Sequence, residues 1–162
     1  MGKKKEIRYK KIKIEDKGKV RLHFDLQQGE GYDRHEVLYK DAPLPELQQS
    51  LDALAIHVAE ICELPKEYAE NMVIIGISLS HSKTNIMGCT ITAKKTLANK
   101  RVVLINSPHL PEEPYSETGD QSAVLSVKCV KDIMLAIKQA ESYRTGNRAQ
   151  ADMFDGKKKE AA

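Results

Sequence analysis

The sequence predicts an α+β fold, built on one largely antiparallel sheet of about six strands in a βββα-βββα order, with two helices packed on one face. Six segments show the alternating or short apolar runs of strands, and two longer segments repeat apolar residues at helical spacing. Because most links between the strands are short, neighbouring strands should run in opposite directions. The 162 residues suit a single domain at 1–146 followed by a tail at 147–162.

The first half opens with three predicted strands. A half-buried strand is indicated by four apolar residues that alternate with polar ones, Val20, Leu22, Phe24 and Leu26. The preceding segment IRYKKIKI is its partner, joined to it by a turn at Lys17-Gly18. Apolar residues in that partner change parity between Tyr9 and Ile12, which predicts a bulge or a change of face. A third strand is predicted near 32–40.

A helix is predicted next. Pro43 and Pro45 open it and Pro65 stops it. Its apolar residues follow one another at spacings of four, three, four and three, and they are Leu47, Leu51, Leu54, Val58 and Ile61. This spacing predicts one continuous buried stripe on a single helix.

The second half repeats the layout. Strands are indicated by VIIGISLS at 73–80, IMGCTITA at 86–93 and RVVLI at 101–105. A second helix runs to about Tyr143, with Gly146 as its terminator. The apolar positions that mark this helix are Val127, Val130, Met134 and Ile137. The two halves share this order of elements but no repeat of residues.

Charge is distributed unevenly along the chain. The net charge is +3, residues 1–13 carry +6 and residues 144–162 carry +2, which leaves about −5 for residues 14–143. A mildly acidic body does not bind nucleic acid with its whole surface, so any such contact should be local. The basic residues considered for it are Lys94, Lys95, Lys100 and Arg101 of one hairpin and Lys157, Lys158 and Lys159 of the tail.

The hairpin lysines have a simpler interpretation as well. A solvated turn with lysines that protect the edges of a sheet would show the same composition. The lysines of the first predicted strand leave both readings open, since that strand could lie at the centre or at an edge. Aromatic residues make up only 5% of the chain, which does not favour a surface that stacks the bases of a single strand.

Catalytic and metal-binding motifs are not found. GCTITAKKT at 88–96 lacks the second glycine and the hydroxyl residue of a phosphate-binding loop, and the five histidines lack ligand spacing. Three cysteines in apolar patterns are predicted to be core residues, Cys62, Cys89 and Cys129. We therefore predict no enzymatic activity, no metal and no cofactor. The weaker alternative is a hydrolase built around Ser80, His81 or His109.

Two further expectations concern location and order. No apolar run approaches the length that spans a bilayer, and the N-terminus lacks the apolar stretch of a secretory signal, so we expect a cytoplasmic protein without membrane contact. The segment 107–121 holds three prolines and four acidic residues but no lysine or arginine. We expect it to be disordered, with a functional loop as the alternative.

The tail carries a recognisable pentapeptide. Gln150-Ala151-Asp152-Met153-Phe154 resembles the bacterial sliding-clamp-binding motif and is similar to the internal clamp-binding segment of replicative polymerase large subunits. The resemblance implies a peptide that is disordered until it docks on the clamp. It also implies that Gln150 makes polar contacts and that Met153 and Phe154 fill an apolar pocket, with the acidic Asp152 between them. The alternative is that the two apolar side chains fold back onto the domain.

The body of the chain also bears a resemblance. ICELPKEYAENM at 61–72 and NSPHLPEEP at 106–114 are similar to segments of small uncharacterised proteins of bacteriophages and prophages. Together the resemblances imply a phage-type accessory of DNA replication, recombination or repair that docks on the host sliding clamp, either to recruit its domain or to block host polymerases. The alternative is a counter-defence or small-ligand-binding protein whose function lies in the sheet and the acidic loop. The oligomeric state is left open.

Overall fold

The computed structural model describes residues 6–114 and 124–146 of the chain. In chain order the strands and α-helices are β1 (Ile7–Ile14), β2 (Val20–Gln28), β3 (Gly31–Tyr39), α1 (Pro45–Asp52), α2 (Ala55–Ile61), β4 (Met72–His81), β5 (Met87–Thr96), β6 (Val102–Asn106), β7 (Leu110–Pro111) and α3 (Val127–Arg144). Short 3-10 turns occupy Asp16–Gly18 and Lys66–Asn71. The predicted α+β class and the six predicted strands are confirmed.

The strands form one antiparallel sheet in the order β3-β2-β1-β4-β5-β6, and the short β7 pairs with β5 next to β6. Each half of the chain therefore supplies a three-stranded meander, and the two meanders meet where β1 pairs with β4. This pairing places the basic first strand at the centre of the sheet, a position that the sequence left undecided.

Bulges adjust both central strands. Lys10 is the extra residue between the pairs Tyr9–Phe24 and Lys11–His23, which confirms the bulge predicted from the change of parity. Another register shift lies in β4 just before Gly76. A Cβ atom on Gly76 would come within 2.7 Å of the Ile12 carbonyl oxygen, so the close contact of the two meanders requires glycine at this position.

The core lies between one face of the sheet and the helices, as predicted. The strands contribute the buried residues Tyr9, Ile12, Val20, Leu22, Phe24, Ile74, Ile77, Leu79, Cys89, Ile91 and Ala93, and the helices contribute Leu47, Leu51, Val58, Ile133, Ala136, Ala140 and Tyr143. Removing these apolar side chains from water is the main stabilising contribution to such a fold. The second face of the sheet is not covered by any helix in the described part of the chain.

The first predicted helix is divided into α1 and α2. At Leu54 the backbone N–H donates to Leu51 instead of to the residue four positions earlier, which tightens one turn between the two helices. The predicted stripe stays buried through Val58 in spite of this break. The helix ends before Pro65, as predicted, and Glu63 adopts a left-handed conformation just after α2.

That left-handed residue belongs to a Schellman motif. The Leu64 N–H donates to the Ala59 carbonyl at 2.8 Å, and the Glu63 N–H donates to the Glu60 carbonyl at 3.2 Å. These two bonds satisfy carbonyl groups that the end of α2 would otherwise leave without partners.

The buried face of α3 differs from the predicted one. Val127 is 74% exposed and Met134 is 52% exposed, while Val130 and Ile137 are partly buried against the core. The fully buried positions are Cys129, Asp132, Ile133, Ala136, Ala140 and Tyr143. Small residues at Ala136 and Ala140 let the helix approach its neighbours closely. A pattern based on large apolar residues therefore finds the edge of the buried face at Val130 and Ile137 and misses its centre.

The segment after β6 is partly ordered, which corrects the expectation of disorder for 107–121. Ser107 forms two bonds with Ile91, donating its N–H to the carbonyl at 2.9 Å and accepting the Ile91 N–H on Oγ at 2.8 Å. Glu112 bonds Met87 in the same reciprocal way, at 2.8 Å in each direction. These contacts hold 107–114 along β5, and residues 115–121 lie outside the described part.

Candidate functional site

The uncovered face of the sheet carries two rows of polar side chains. In β5 the residues Cys89, Ile91 and Ala93 are buried, so Thr90 and Thr92 between them project to the opposite face. Strand pairing aligns one row as Lys11, Ser78 and Thr90, and the next row as Lys13, Gly76, Thr92 and Asn106. We call Lys11, Lys13, Ser78, Thr90, Thr92 and Asn106 the lysine–hydroxyl patch.

A shallow cavity of about 190 Å³ opens within this patch. Lys11 and Lys13 form one side, Thr92 and Asn106 form the other, and Leu104, which is 63% exposed, also lines the cavity. The Thr92 hydroxyl donates to Asn106 Oδ1 at 2.7 Å, which orients both side chains. Gly76, without a side chain, lies on the floor between them.

Charges on the two halves of this face are balanced differently. On the β2–β3 side, carboxylates pair with the basic groups: Asp25 lies 3.9 Å from Lys10 Nζ and 3.8 Å from Arg34 Nε. Arg21 similarly contacts Glu15 at 2.7 Å and Glu36 at 3.2 Å. This half of the face is therefore close to neutral.

The half that holds the patch keeps its positive charge. Within residues 6–114 and 124–146, neither Lys11 nor Lys13 forms an ion pair, and the residues lining the cavity include no carboxylate. Glu15 is engaged by Arg21, whose hydrogen bond lowers the pKa of Glu15 more than the charges of Lys13 and Lys11 do. The patch is thus cationic and rich in hydrogen-bond donors.

The four basic residues predicted on the hairpin do not form one surface. Lys94 is exposed on the same face as the patch, and Lys100 and Arg101 are exposed at the turn between β5 and β6. Lys95 points to the opposite face and is 6% exposed. Its Nζ donates to the Tyr68 carbonyl at 3.1 Å and lies 4.8 Å from the Tyr68 ring centroid.

The predicted residues of the tail lie outside the described part of the chain. They are Gln150, Asp152, Met153, Phe154, Lys157, Lys158 and Lys159. The sequence did not single out the hydroxyl residues of the patch, although their alternation with buried residues on two predicted strands was a usable signal. What it did not contain was the pairing that brings them next to Lys11 and Lys13.

A histidine at the border of the patch contacts two hydroxyl groups. His109 Nε2 lies 2.8 Å from Ser80 Oγ, and Nδ1 lies 3.0 Å from Thr90 Oγ1. A serine nucleophile of the triad type needs a carboxylate on the second nitrogen of its histidine, and here a hydroxyl occupies that position. His81 points away from this group and lines a separate cavity, where burial lowers its pKa. The structure joins Ser80 and His109 of the hydrolase alternative without completing a catalytic triad.

A second cavity, of about 370 Å³, lies where α2 approaches the start of α3 and β7. His57, Glu60, Glu63, Ser126 and Cys129 contribute its polar lining. His57 Nε2 is 2.7 Å from Asp132 Oδ2, and its buried Nδ1 has no hydrogen-bond partner in the described structure.

The cysteines are free and do not form a metal site in the described residues. Burial raises the pKa of the Cys89 and Cys129 thiols to about 12, so both are protonated at neutral pH. Cys62 is half-buried and packs against the core. These positions confirm that the cysteines are core residues.

Comparison with known proteins identifies no relative: no protein-family model, curated protein or solved structure matches the chain. Over the part of the chain that the structure describes, none of the helices combines the length and apolar character needed to cross a membrane.

Proposed function

We propose that this protein is a non-enzymatic, phage-type accessory of DNA replication, recombination or repair that docks on the bacterial sliding clamp through residues 150–154. The observation that carries the proposal is the pentapeptide QADMF. It matches the sliding-clamp-binding motif at its glutamine, at the acidic third position and at the final pair of large apolar residues.

The chemistry of the pentapeptide explains how it would bind. Met153 and Phe154 are large apolar neighbours in a tail of small, charged and polar residues, and each contributes about 1.5–3 kcal/mol when fully buried. Gln150 offers both a donor and an acceptor on its amide. A single peptide of this kind binds at roughly micromolar affinity, about −8 kcal/mol.

The described fold ends a few residues before this segment. The last core residue of the described structure is Tyr143, whose hydroxyl donates to the Asp41 carbonyl. Arg144 next to it bonds Glu141 at 2.6 Å and Tyr9 at 3.1 Å. The end of α3 is therefore anchored to the body seven residues before Gln150, close enough for a docked tail to hold the domain beside the clamp.

Calorimetry with purified bacterial sliding clamp tests the proposal. We expect micromolar or tighter binding by the full-length protein and no measurable heat with the triple variant Gln150→Ala, Met153→Ala, Phe154→Ala. A matched triple variant of nearby tail residues, Lys157→Ala, Lys158→Ala, Lys159→Ala, should retain the interaction. Absence of binding by the unmodified protein, or equal binding by the first variant, would contradict the proposal.

Two modes of action share this contact. A protein that recruits its domain leaves clamp-dependent synthesis intact at saturating polymerase, whereas a blocking protein lowers it in proportion to the clamp occupied. A primer-extension assay with clamp and host polymerase separates the two modes. The control is the triple variant Gln150→Ala, Met153→Ala, Phe154→Ala.

The second candidate is a small-ligand-binding or counter-defence protein. The cavity of about 370 Å³ beside His57 favours it, because a buried ring nitrogen without a hydrogen-bond partner in the described structure lines an opening large enough for a small molecule. Under this alternative the function would survive removal of residues 147–162.

A further inference from the structure

We propose that the lysine–hydroxyl patch binds the phosphate backbone of duplex DNA. This inference goes beyond clamp docking and does not depend on it, because it rests on residues of the central strands and not on the tail.

Charge is the first argument. Lys11 and Lys13 project from the central strand about 7 Å apart, given the rise of an extended strand. Both are half-buried, so their aliphatic stems lie along the sheet while the ammonium groups remain accessible. Since neither is neutralised by a carboxylate in the described structure, their charge is available to an anionic partner.

Hydrogen-bond donors next to these charges are the second argument. Ser78 follows Lys11 across the sheet and Asn106 lies across from Thr92, while the Thr90 hydroxyl beside Ser78 is already bonded to His109. Asn106 Oδ1 already accepts the Thr92 hydroxyl, which leaves its amide nitrogen as a donor. Lysine, serine, threonine and asparagine side chains are the groups that proteins use to contact phosphate oxygens.

The composition of the face argues for the backbone as the bound part. The residues that define the patch include no aromatic side chain, so they provide no platform for stacking unpaired bases. A duplex keeps its bases stacked inside and presents one charge for about every 1.7 Å of its axis. Its surface therefore matches the charged and hydrogen-bonding groups of the patch, beside which the exposed apolar side chain of Leu104 lies on β6.

Neighbouring basic residues extend the same surface. Lys94 lies one row beyond Thr92 on β5, and Lys100 and Arg101 continue to the end of the hairpin. Lys95, on the opposite face, takes no part. The predicted basic hairpin is thus the margin of the proposed interface, and its centre is β1.

The test is fluorescence anisotropy of a labelled duplex of about 20 base pairs with the full-length protein over a series of salt concentrations. The variant Lys11→Gln, Lys13→Gln should bind at least about tenfold more weakly, and the slope of log K against log salt should fall by about 2 if each lysine neutralises one phosphate. Lys131→Gln, Lys138→Gln is the matched control, because it removes the same charge from exposed positions on α3. We expect its affinity to stay within about twofold of the unmodified protein.

Several outcomes would overturn the inference. These are no duplex binding at low salt, equal weakening by both double variants, or tighter binding of a single strand of the same length. A thermal unfolding curve for each variant excludes misfolding, and Lys94→Gln alone provides a milder second test with a smaller expected loss. The assay contains no clamp, and the triple variant Gln150→Ala, Met153→Ala, Phe154→Ala should bind duplex normally. This inference and clamp docking can therefore fail separately.

Discussion

At the scale of single residues, a buried hydrogen bond between His57 and Asp132 connects α2 to α3. Asp132 accepts bonds from His57 at 2.7 Å and from Lys128 at 2.9 Å. Burial acts to raise the pKa of Asp132, but the hydrogen bonds from Lys128 and His57 outweigh it and hold the pKa below the ordinary value of 3.8. The charged carboxylate is therefore the form that the folded state favours.

Replacing this carboxylate should destabilise the protein. We expect Asp132→Asn to lower the free energy of unfolding by about 1–3 kcal/mol, because it weakens two charge-assisted bonds in a buried place. Glu60→Gln is the control, since Glu60 lies 3.8 Å from the same histidine with its side chain 55% exposed, and it should cost less than about 0.5 kcal/mol. Urea unfolding at pH 7 measures both, and equal losses would contradict this account of the pair.

The same pair predicts a dependence on pH. A carboxyl group whose pKa is lowered on folding contributes stability that is present above its unfolded pKa and is lost as the pH falls through the folded pKa. The difference in unfolding free energy between the unmodified protein and Asp132→Asn should therefore be largest above about pH 5 and shrink as the pH falls below about 4.

At the scale of elements, α3 shows why the side on which a helix packs is hard to predict. A sequence pattern assigns leucine and methionine to the buried face of a helix. In α3, however, Met134 and Leu135 are exposed while Ala136 and Ala140 are buried. The buried alanines allow close approach, and the surrounding strands then supply the large apolar side chains. Which face is buried depends on the partner surface as well as on the helix itself.

Two neighbouring residues of α3 test this assignment. Ile133→Ala should destabilise the protein by about 2–5 kcal/mol, because it opens a cavity at a position that is fully buried. Met134→Ala should change the stability by less than about 0.5 kcal/mol, since the side chain is largely exposed. The comparison uses the denaturant concentration at the midpoint of unfolding, with the slope of unfolding free energy against denaturant unchanged. Similar losses of stability for both variants would mean that the helix is rotated relative to the structure.

At the scale of the whole molecule, clamp docking and folding should depend on different parts of the chain. A protein ending at Gly146 should melt within about 2 °C of the full chain, because the proposed clamp peptide acts without packing on the domain. The same truncation should abolish clamp binding. Calorimetric melting and the clamp titration measure the two effects. A loss of more than about 5 °C would instead support packing of Met153 and Phe154 on the domain.

The sequence by itself determined the class of the fold and most of its elements. Three local properties were sufficient to predict these elements. Alternation predicted the strands, the apolar spacing before Pro65 predicted the buried helical stripe, and the change of parity after Tyr9 predicted the bulge. The proposed clamp peptide at 150–154 is likewise a local pattern, and its binding remains to be measured by the clamp titration. The break at Leu54 was missed because one tightened turn preserves the buried stripe.

Only the tertiary structure decided where the basic residues meet their neighbours. Pairing between β1 and β4 places Lys11 beside Ser78, 67 positions later in the chain, and the parity of β5 turns Lys94 and Lys95 to opposite faces. A lysine at the edge of a sheet and a lysine at its centre have the same local sequence. Their environments differ because strand order is set by the packing of both halves into one core, which no local pattern records.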